Sequence, residues 1–198
     1  MSIANYLTFI RVFISPIFLL VYLEHEALGI SWIVLPYILI VLVAVSELSD
    51  AFDGYIARKY NQVTDLGKIL DPMADSISRI SMFLTFTQGP VSLPLILVFV
   101  FIYRDSVVST LRTVCALRGF ALAARPSGKI KAVIQAIVVF CILILLIPYT
   151  LGHLSQLHLQ QYSLILVFIA AVYSFFSGID YIYANREYIK KLLILKKI

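Results

Sequence analysis

The chain has 198 residues, of which 61% are hydrophobic and only 14% are charged, and its mean hydropathy is +0.96. Soluble domains carry about 45–50% apolar and about 25% charged residues, so this composition excludes an ordinary globular protein, a disordered chain and a secreted disulfide scaffold. A core of this size cannot bury such an apolar excess, so the lipid bilayer is expected to surround most of the surface. Cys115 and Cys141 lie in apolar context and indicate no disulfide framework.

Six apolar runs follow one another along the chain, and a helix needs roughly 20 such residues to cross a bilayer. The runs cover residues 6–23, 32–58, 66–86, 93–117, 131–148 and 162–183. The first run lacks the basic leader and the small-residue cleavage site of a signal peptide, so it is predicted to remain as a membrane span. Residues 189–197 are expected to form a short amphipathic helix along the inner membrane surface. Together these runs predict one all-α integral membrane domain over residues 1–198, with six transmembrane helices.

The basic residues alternate between the connections of these runs. The first, third and fifth connections contain no lysine or arginine over residues 24–26, 87–90 and 152–161. Most of the basic residues lie in the second and fourth connections and in the C-terminal tail. The positive-inside rule therefore predicts that both termini are cytoplasmic. The net charge of +5 is interpreted as topology and contact with anionic lipid, not as nucleic-acid binding.

Four aspartates are concentrated at the end of the second run and the start of the third. Asp50 and Asp53 are three residues apart and Asp71 and Asp75 are four apart, so each pair lies on one helical face. The two faces meet if the connection between them turns the chain back. Charges within a membrane are candidates for function by default, and clustered carboxylates suit Mg²⁺ or Mn²⁺. The alternative is an ion pathway, or internal salt bridges with arginines such as Arg79.

The aspartates belong to a longer pattern of fixed residues and spacings. It reads Asp50-x2-Asp53-Gly54-x2-Ala57-Arg58-x8-Gly67-x3-Asp71-x3-Asp75. This pattern resembles the signature of the CDP-alcohol phosphatidyltransferase family at every fixed position. The resemblance implies a six-helix enzyme of the inner (cytoplasmic) membrane, with its active site facing the cytoplasm and a homodimer as its assembly. Such an enzyme transfers a phosphatidyl group from CDP-diacylglycerol to an alcohol and releases CMP.

The resemblance also implies roles for individual residues. It assigns Asp50, Asp53, Asp71 and Asp75 to two divalent cations, Mg²⁺ or Mn²⁺, and makes Asp75 the general base. It assigns a further set to the nucleotide and donor lipid: Asn5, Thr8, Gly54, Ala57, Arg58 and Gly67. The small members of that set would let a bulky ligand approach the backbone, although close helix packing is the alternative explanation. A covalent histidine intermediate is disfavoured because all three histidines map to the outer connections, which leaves a single in-line displacement.

Basic residues of the fourth and fifth runs are predicted to bind the acceptor alcohol. Arg104 lies in the middle of its run, where a charge facing lipid is costly, and Arg112 follows two turns later. Lys129 and Lys131 lie where the fifth helix enters the membrane, and for Lys129 a plain cytoplasmic lysine is an equal alternative. A basic pocket beside an acidic metal site fits an acceptor that carries its own phosphate.

Shorter patterns over residues 5–11, 104–112, 128–131 and 177–181 resemble family members that act on sn-glycerol 3-phosphate. Two positions depart from them. Those members commonly carry a lysine after the last motif aspartate, where this chain has Ser76, and a glutamate where it has Asp105. The shorter patterns and the basic pocket favour sn-glycerol 3-phosphate as the acceptor, and the two departures leave inositol phosphate, serine or choline as alternatives within the family. A divalent-cation transporter is the alternative outside it.

Overall fold

A computed structural model describes residues 3–59, 65–117, 122 and 125–194 of the chain. The side chains of residues 3–9, 51, 53–58, 65–71, 116 and 191–194 lie outside this description. The described part is all-α and contains no β-strand. Its helices are α1 Ile3–Leu23, α2 Leu35–Lys59, α3 Asp65–Thr85, α4 Leu95–Leu117, α5 Pro126–Thr150, α6 Gln156–Ala184 and α7 Arg186–Ile194.

The six long helices coincide with the six predicted runs, and α7 overlaps the predicted tail helix. The largest differences are at the starts of α5 and α6, which begin earlier than predicted, at Pro126 and Gln156. Proline suits a first helical turn because its missing N–H has no helical partner there. Ser155 caps α6 by accepting a hydrogen bond from the backbone N–H of His158, so His158 lies in the first turn of α6 and not in the connection. Polar first turns of this kind escape a search for apolar runs.

Within the described residues, two helices are long and apolar enough to cross a membrane by length and composition. They are Pro126–Thr150 and Gln156–Ala184, with mean hydropathies of 2.9 and 2.0. Large apolar side chains such as Phe13, Ile96 and Phe176 point outward from the bundle and are exposed. Soluble proteins rarely expose a large contiguous apolar surface. Contact with lipid accounts for the exposed apolar side chains of this bundle. The count of six spans and the orientation of the termini stay predictions.

The helices pack so that aromatic side chains fill one end of the bundle. Phe18 of α1 contacts Phe86, the residue after the end of α3, edge to face, with ring centroids 5.8 Å apart. At the same end the ring centroid of Trp32 lies 6.0 Å from that of Tyr149, which is the second-last residue of α5. Polar side chains are therefore left to the middle and the opposite end of the helices.

Three packing relationships position those polar side chains. α1 packs against both α2 and α3, α4 packs against α3 and α6, and α5 packs against α6 and α2. The consequence is that α1 lies beside both aspartate-bearing helices.

Candidate active site

Arg11 of α1 joins the two helices that carry the aspartates. Its side chain is only 3% exposed, and its Nη1 lies 2.8 Å from Asp50 Oδ1 on α2. The same nitrogen also donates to Asp75 Oδ1 on α3. The structure thus brings Asp50 and Asp75 together around one guanidinium, whose positive charge offsets their mutual repulsion.

A second arginine completes this polar cleft. Arg79 Nη1 lies 4.0 Å from Asp75 Oδ2, so the internal salt bridge that the sequence offers as the alternative to a metal site is present. Arg79 Nη2 lies 3.5 Å from Glu47 Oε2 on α2. The cleft is lined by Arg11, Glu47, Asp50, Asp75, Ser78 and Arg79. Asp75 therefore lies between two guanidinium groups from different helices.

The other predicted residues of the metal and donor site lie outside the described side chains. Their backbones belong to α1, α2 and α3: Asn5, Thr8, Asp53, Gly54, Ala57, Arg58, Gly67 and Asp71. Among the described side chains, no group of three or more His, Cys, Asp or Glu is placed to hold a metal ion. The metal site of four carboxylates stays a prediction. Two of the four, Asp50 and Asp75, are close together in the structure.

Asp105 of α4 organises a second polar cluster, and its side chain is only 4% exposed. Both of its carboxylate oxygens accept from Lys131 Nζ of α5 at 2.7 Å. It also accepts from Arg104 Nη1 at 3.0 Å and from Ser76 Oγ of α3 at 3.2 Å. Burial of a charge is tolerated when the charge is paired and hydrogen-bonded, as it is here. One carboxylate thereby ties α3, α4 and α5 together.

Arg104 lies in a narrow slot between α5 and α6. Its Nε donates to Ser177 Oγ at 3.1 Å. A Cβ added to Gly178 would lie 3.1 Å from Arg104 Cγ, and one added to Gly128 would lie 3.3 Å from Nη2. A side chain at either glycine would press on the arginine, so the two glycines leave the slot that holds its guanidinium beside Asp105 and Lys131.

The structure does not bring all four predicted acceptor residues to Asp105. Arg104 and Lys131 converge there, whereas Arg112 Nε donates to the Tyr181 hydroxyl at 3.2 Å and its guanidinium lies over the Tyr181 ring. Eight residues separate Arg112 from Arg104, or about 12 Å along the helix. Lys129 is exposed in the first turn of α5. The cation pair at Asp105 is thus Arg104 and Lys131.

Asp180, to which the sequence assigned no role, fastens the start of α5 against α6. It accepts from Arg125 Nη2 at 2.9 Å and from Ser127 Oγ at 2.6 Å. This contact fixes the first turn of α5, one turn before Lys131. It therefore holds the helix that carries one of the two cations.

Comparison with known proteins identifies the family. A profile of the family described as CDP-alcohol phosphatidyltransferase matches residues 1–176. The chain belongs to the CDP-alcohol phosphatidyltransferase family. It is accordingly a transferase that releases CMP, which disfavours the divalent-cation transporter.

Several curated relatives match this CDP-alcohol phosphatidyltransferase over nearly its whole length. The CDP-diacylglycerol–glycerol-3-phosphate 3-phosphatidyltransferase of Bacillus subtilis is 30% identical over 195 residues, which cover 96% of this chain and 97% of the relative. The protein of that name from Rickettsia typhi is 29% identical over 191 residues, covering 94% and 98%. The one from Shigella flexneri is 29% identical over 191 residues, covering 93% and 95%.

Residues that the sequence did not assign to the site also contribute to it. Arg11 is the clearest, because it contacts both described aspartates of the transferase signature. Two signals point to it: it is a charge within an apolar run, and it follows Thr8 by three residues, on the same helical face. Ser177 belongs to one of the shorter sequence patterns, and its contact with Arg104 depends on how α4 packs on α6.

Proposed function

We propose that this transferase moves the phosphatidyl group of CDP-diacylglycerol to sn-glycerol 3-phosphate, giving phosphatidylglycerophosphate and CMP. The observation that carries the choice of acceptor is the buried pairing of Arg104 and Lys131 with the single carboxylate of Asp105. Two cations and one carboxylate leave one positive charge in surroundings of low dielectric, where an anionic ligand is strongly favoured. The acceptor phosphate is such a ligand, and the relatives at similar length carry this activity in their names.

The donor is proposed to bind on the side of Arg11 and the aspartates. Asp50, Asp53, Asp71 and Asp75 would hold two divalent cations, Mg²⁺ or Mn²⁺. Support for the fit comes from Asp50 and Asp75, whose oxygens converge on one cationic nitrogen and are the hard donors that these ions take. When bound, a pair of such ions neutralises phosphates and stabilises the attacking and leaving oxygens. The nucleotide part is proposed to contact Asn5, Thr8, Gly54, Ala57, Arg58 and Gly67.

Asp75 is proposed to accept the proton of the acceptor hydroxyl. It precedes Ser76, whose hydroxyl belongs to the Asp105 cluster, so α3 carries the base alongside the proposed acceptor site. A general base has to come within about 2.6–3.2 Å of the oxygen that it deprotonates. The acceptor oxygen then forms a bond to the phosphatidyl phosphorus while the bond from that phosphorus to the CMP oxygen breaks. A single displacement is favoured over a covalent histidine intermediate, because none of the three histidines lies close in sequence to a residue of either cluster.

The membrane setting is part of the same proposal. All six long helices would cross the inner membrane, with both termini and the active site at the cytoplasmic side. Support comes from the apolar helices α5 and α6, the outward apolar side chains and the alternation of basic connections. The homodimer is an expectation from the family resemblance, which crosslinking in membranes would test.

The deciding experiment uses the purified protein with labelled CDP-diacylglycerol and a panel of alcohols. CMP release is expected with sn-glycerol 3-phosphate and to be much slower with inositol phosphate, serine or choline. No CMP release is expected without an acceptor, because a single displacement forms no enzyme-bound intermediate. Faster release with any of the other alcohols would show that the proposed acceptor is wrong while leaving the enzyme class intact.

A further inference from the structure

Two buried polar side chains extend the Asp105 cluster deeper into the bundle. Gln135 of α5 is 1% exposed and Ser174 of α6 is 0% exposed. Neither amide atom of Gln135, nor Ser174 Oγ, has a hydrogen-bond partner among the described residues. Buried side-chain polar atoms nearly always have a partner, because leaving one unpaired after its removal from water is unfavourable. Three unpaired atoms in one region therefore point to a ligand.

The helical positions place both residues next to the cations. Gln135 follows Lys131 by four residues, and both belong to the buried face of α5. Ser174 precedes Ser177 by three residues on the buried face of α6, and Ser177 Oγ accepts from Arg104 Nε. Ser127 of α5 contacts Asp180 of α6, and the two helices run antiparallel. Ser174 lies six residues before Asp180 on α6, so on antiparallel α5 it is level with the position six residues after Ser127. That position is 133, between Lys131 and Gln135.

The chemistry of Gln135 and Ser174 differs from that of the cations Arg104 and Lys131. A glutamine amide offers a donor and an acceptor, and a serine hydroxyl offers both, but neither carries charge. They suit an uncharged hydroxyl group, which also donates and accepts. Arg104 and Lys131, by contrast, suit an anion. An alcohol that carries a phosphate and a spare hydroxyl matches both halves of this arrangement.

We propose that Gln135 and Ser174 determine acceptor specificity by binding an uncharged hydroxyl of the acceptor, while Arg104 and Lys131 hold its phosphate. The inference rests on the proposed function, in which the acceptor is sn-glycerol 3-phosphate. That acceptor has one hydroxyl that reacts and an internal hydroxyl that does not. The internal hydroxyl is the one assigned to Gln135 and Ser174.

The test compares sn-glycerol 3-phosphate with 3-hydroxypropyl phosphate, which keeps the phosphate and the reacting hydroxyl but lacks the internal one. The wild-type enzyme is expected to favour sn-glycerol 3-phosphate in kcat/KM by about ten- to a hundredfold, since a buried donor and acceptor go unpaired with the analogue. Gln135→Leu keeps a similar volume and is expected to lower kcat/KM for sn-glycerol 3-phosphate to the level of the analogue. Its KM for CDP-diacylglycerol is expected to stay unchanged. Ser174→Ala should reduce the preference in the same direction by a smaller factor.

Ser163→Ala is the matched control. Ser163 is also 0% exposed on the buried face of α6 and its hydroxyl has no partner among the described residues. It lies eleven residues from Ser174, about 16 Å along the helix, so its removal should leave the acceptor preference unchanged. Melting temperatures of all three variants establish that they fold.

Two results overturn the inference in distinguishable ways. If sn-glycerol 3-phosphate is turned over but Gln135→Leu changes both acceptors equally, or neither, the two side chains are structural and only this inference is wrong. If the wild-type enzyme uses neither phosphate-bearing acceptor and transfers to serine or choline, the proposed acceptor is wrong and this inference fails with it.

Discussion

Ser76 Oγ lies 3.2 Å from Asp105 Oδ2, and both residues occupy positions at which the sequence departs from the glycerol-phosphate pattern that it otherwise resembles. The departures are therefore neighbours in space, although 29 residues separate them in the chain. The charge that a lysine would bring to position 76 is absent, and Asp105 pairs with Lys131 and Arg104 instead. The two departures therefore lie in one contact of the folded chain.

Asp105→Asn is expected to be the most damaging single change in this cluster. It leaves Lys131 and Arg104 buried side by side without a counter-charge, and breaking a buried pair in this way costs about 3–5 kcal/mol. The melting temperature should fall by roughly 10 °C in a chain of this length. Asp180→Asn is the control, because its pair with Arg125 is partly exposed and such pairs contribute roughly 0–1 kcal/mol. Equal losses in both variants would contradict the organising role of Asp105.

Arg104→Ala and Lys131→Ala are expected to raise the acceptor KM by roughly ten- to a hundredfold, the size of a lost hydrogen bond to a charged group. The KM for CDP-diacylglycerol should change far less, because that substrate is assigned to the aspartate side. Arg112→Ala should raise the acceptor KM by less, since Arg112 is held at Tyr181. If Arg104→Ala raises the KM of both substrates equally, this arginine serves the donor site or the fold.

Gly178→Ala tests whether the slot around Arg104 matters. The new methyl group would lie 3.1 Å from Arg104 Cγ, close to the rigid base of that side chain, so the guanidinium has to shift. The acceptor KM is expected to rise severalfold while the donor KM is unchanged. Gly128→Ala should have the smaller effect, because its neighbour is Arg104 Nη2 at the flexible end of the side chain. The reverse order of the two effects would argue against a slot.

Asp50→Asn and Asp75→Asn are each expected to abolish CMP release while the protein stays folded. Both carboxylates belong to the proposed metal site, where the negative charge is required to bind divalent cations. EDTA should stop the wild-type reaction, and Mg²⁺ or Mn²⁺ should restore it. Glu187→Gln, on the exposed part of α7, is the control and should behave as wild type. Normal turnover by both aspartate variants would exclude the two-metal assignment.

Arg11→Gln separates the structural role of Arg11 from catalysis. Without its charge, Asp50 and Asp75 repel each other, so the melting temperature in EDTA should fall by roughly 5–10 °C, as about 2–3 kcal/mol produces in a chain of this size. Added Mg²⁺ should recover part of that loss, because bound cations replace the missing charge. The same treatment should not rescue Arg125→Gln, whose partner Asp180 lies outside the proposed metal site. A loss that Mg²⁺ leaves unchanged would indicate that Asp50 and Asp75 do not share a cation.

Local features of the chain were enough to predict the helices and the family. Apolar runs long enough to cross a bilayer marked all six long helices, because each run depends only on neighbouring residues. The spacing from Asp50 to Asp75 identified the signature, and helical periodicity predicted that each pair of aspartates shares one helical face. Both conclusions need no knowledge of how distant helices pack.

Partners that lie far apart in the chain depended on the tertiary structure. Arg11 lies between Asp50 and Asp75 because α1 packs against both α2 and α3, and no local pattern states that order of packing. Lys131 donates to Asp105, whereas Arg112 donates to the hydroxyl of Tyr181. Each basic side chain hydrogen-bonds to an acceptor on a neighbouring helix, and that neighbour is set by the fold. The sequence predicted which residues carry charge in the membrane, whereas the pairing of those charges was set by the packing of helices that only the folded chain brings together.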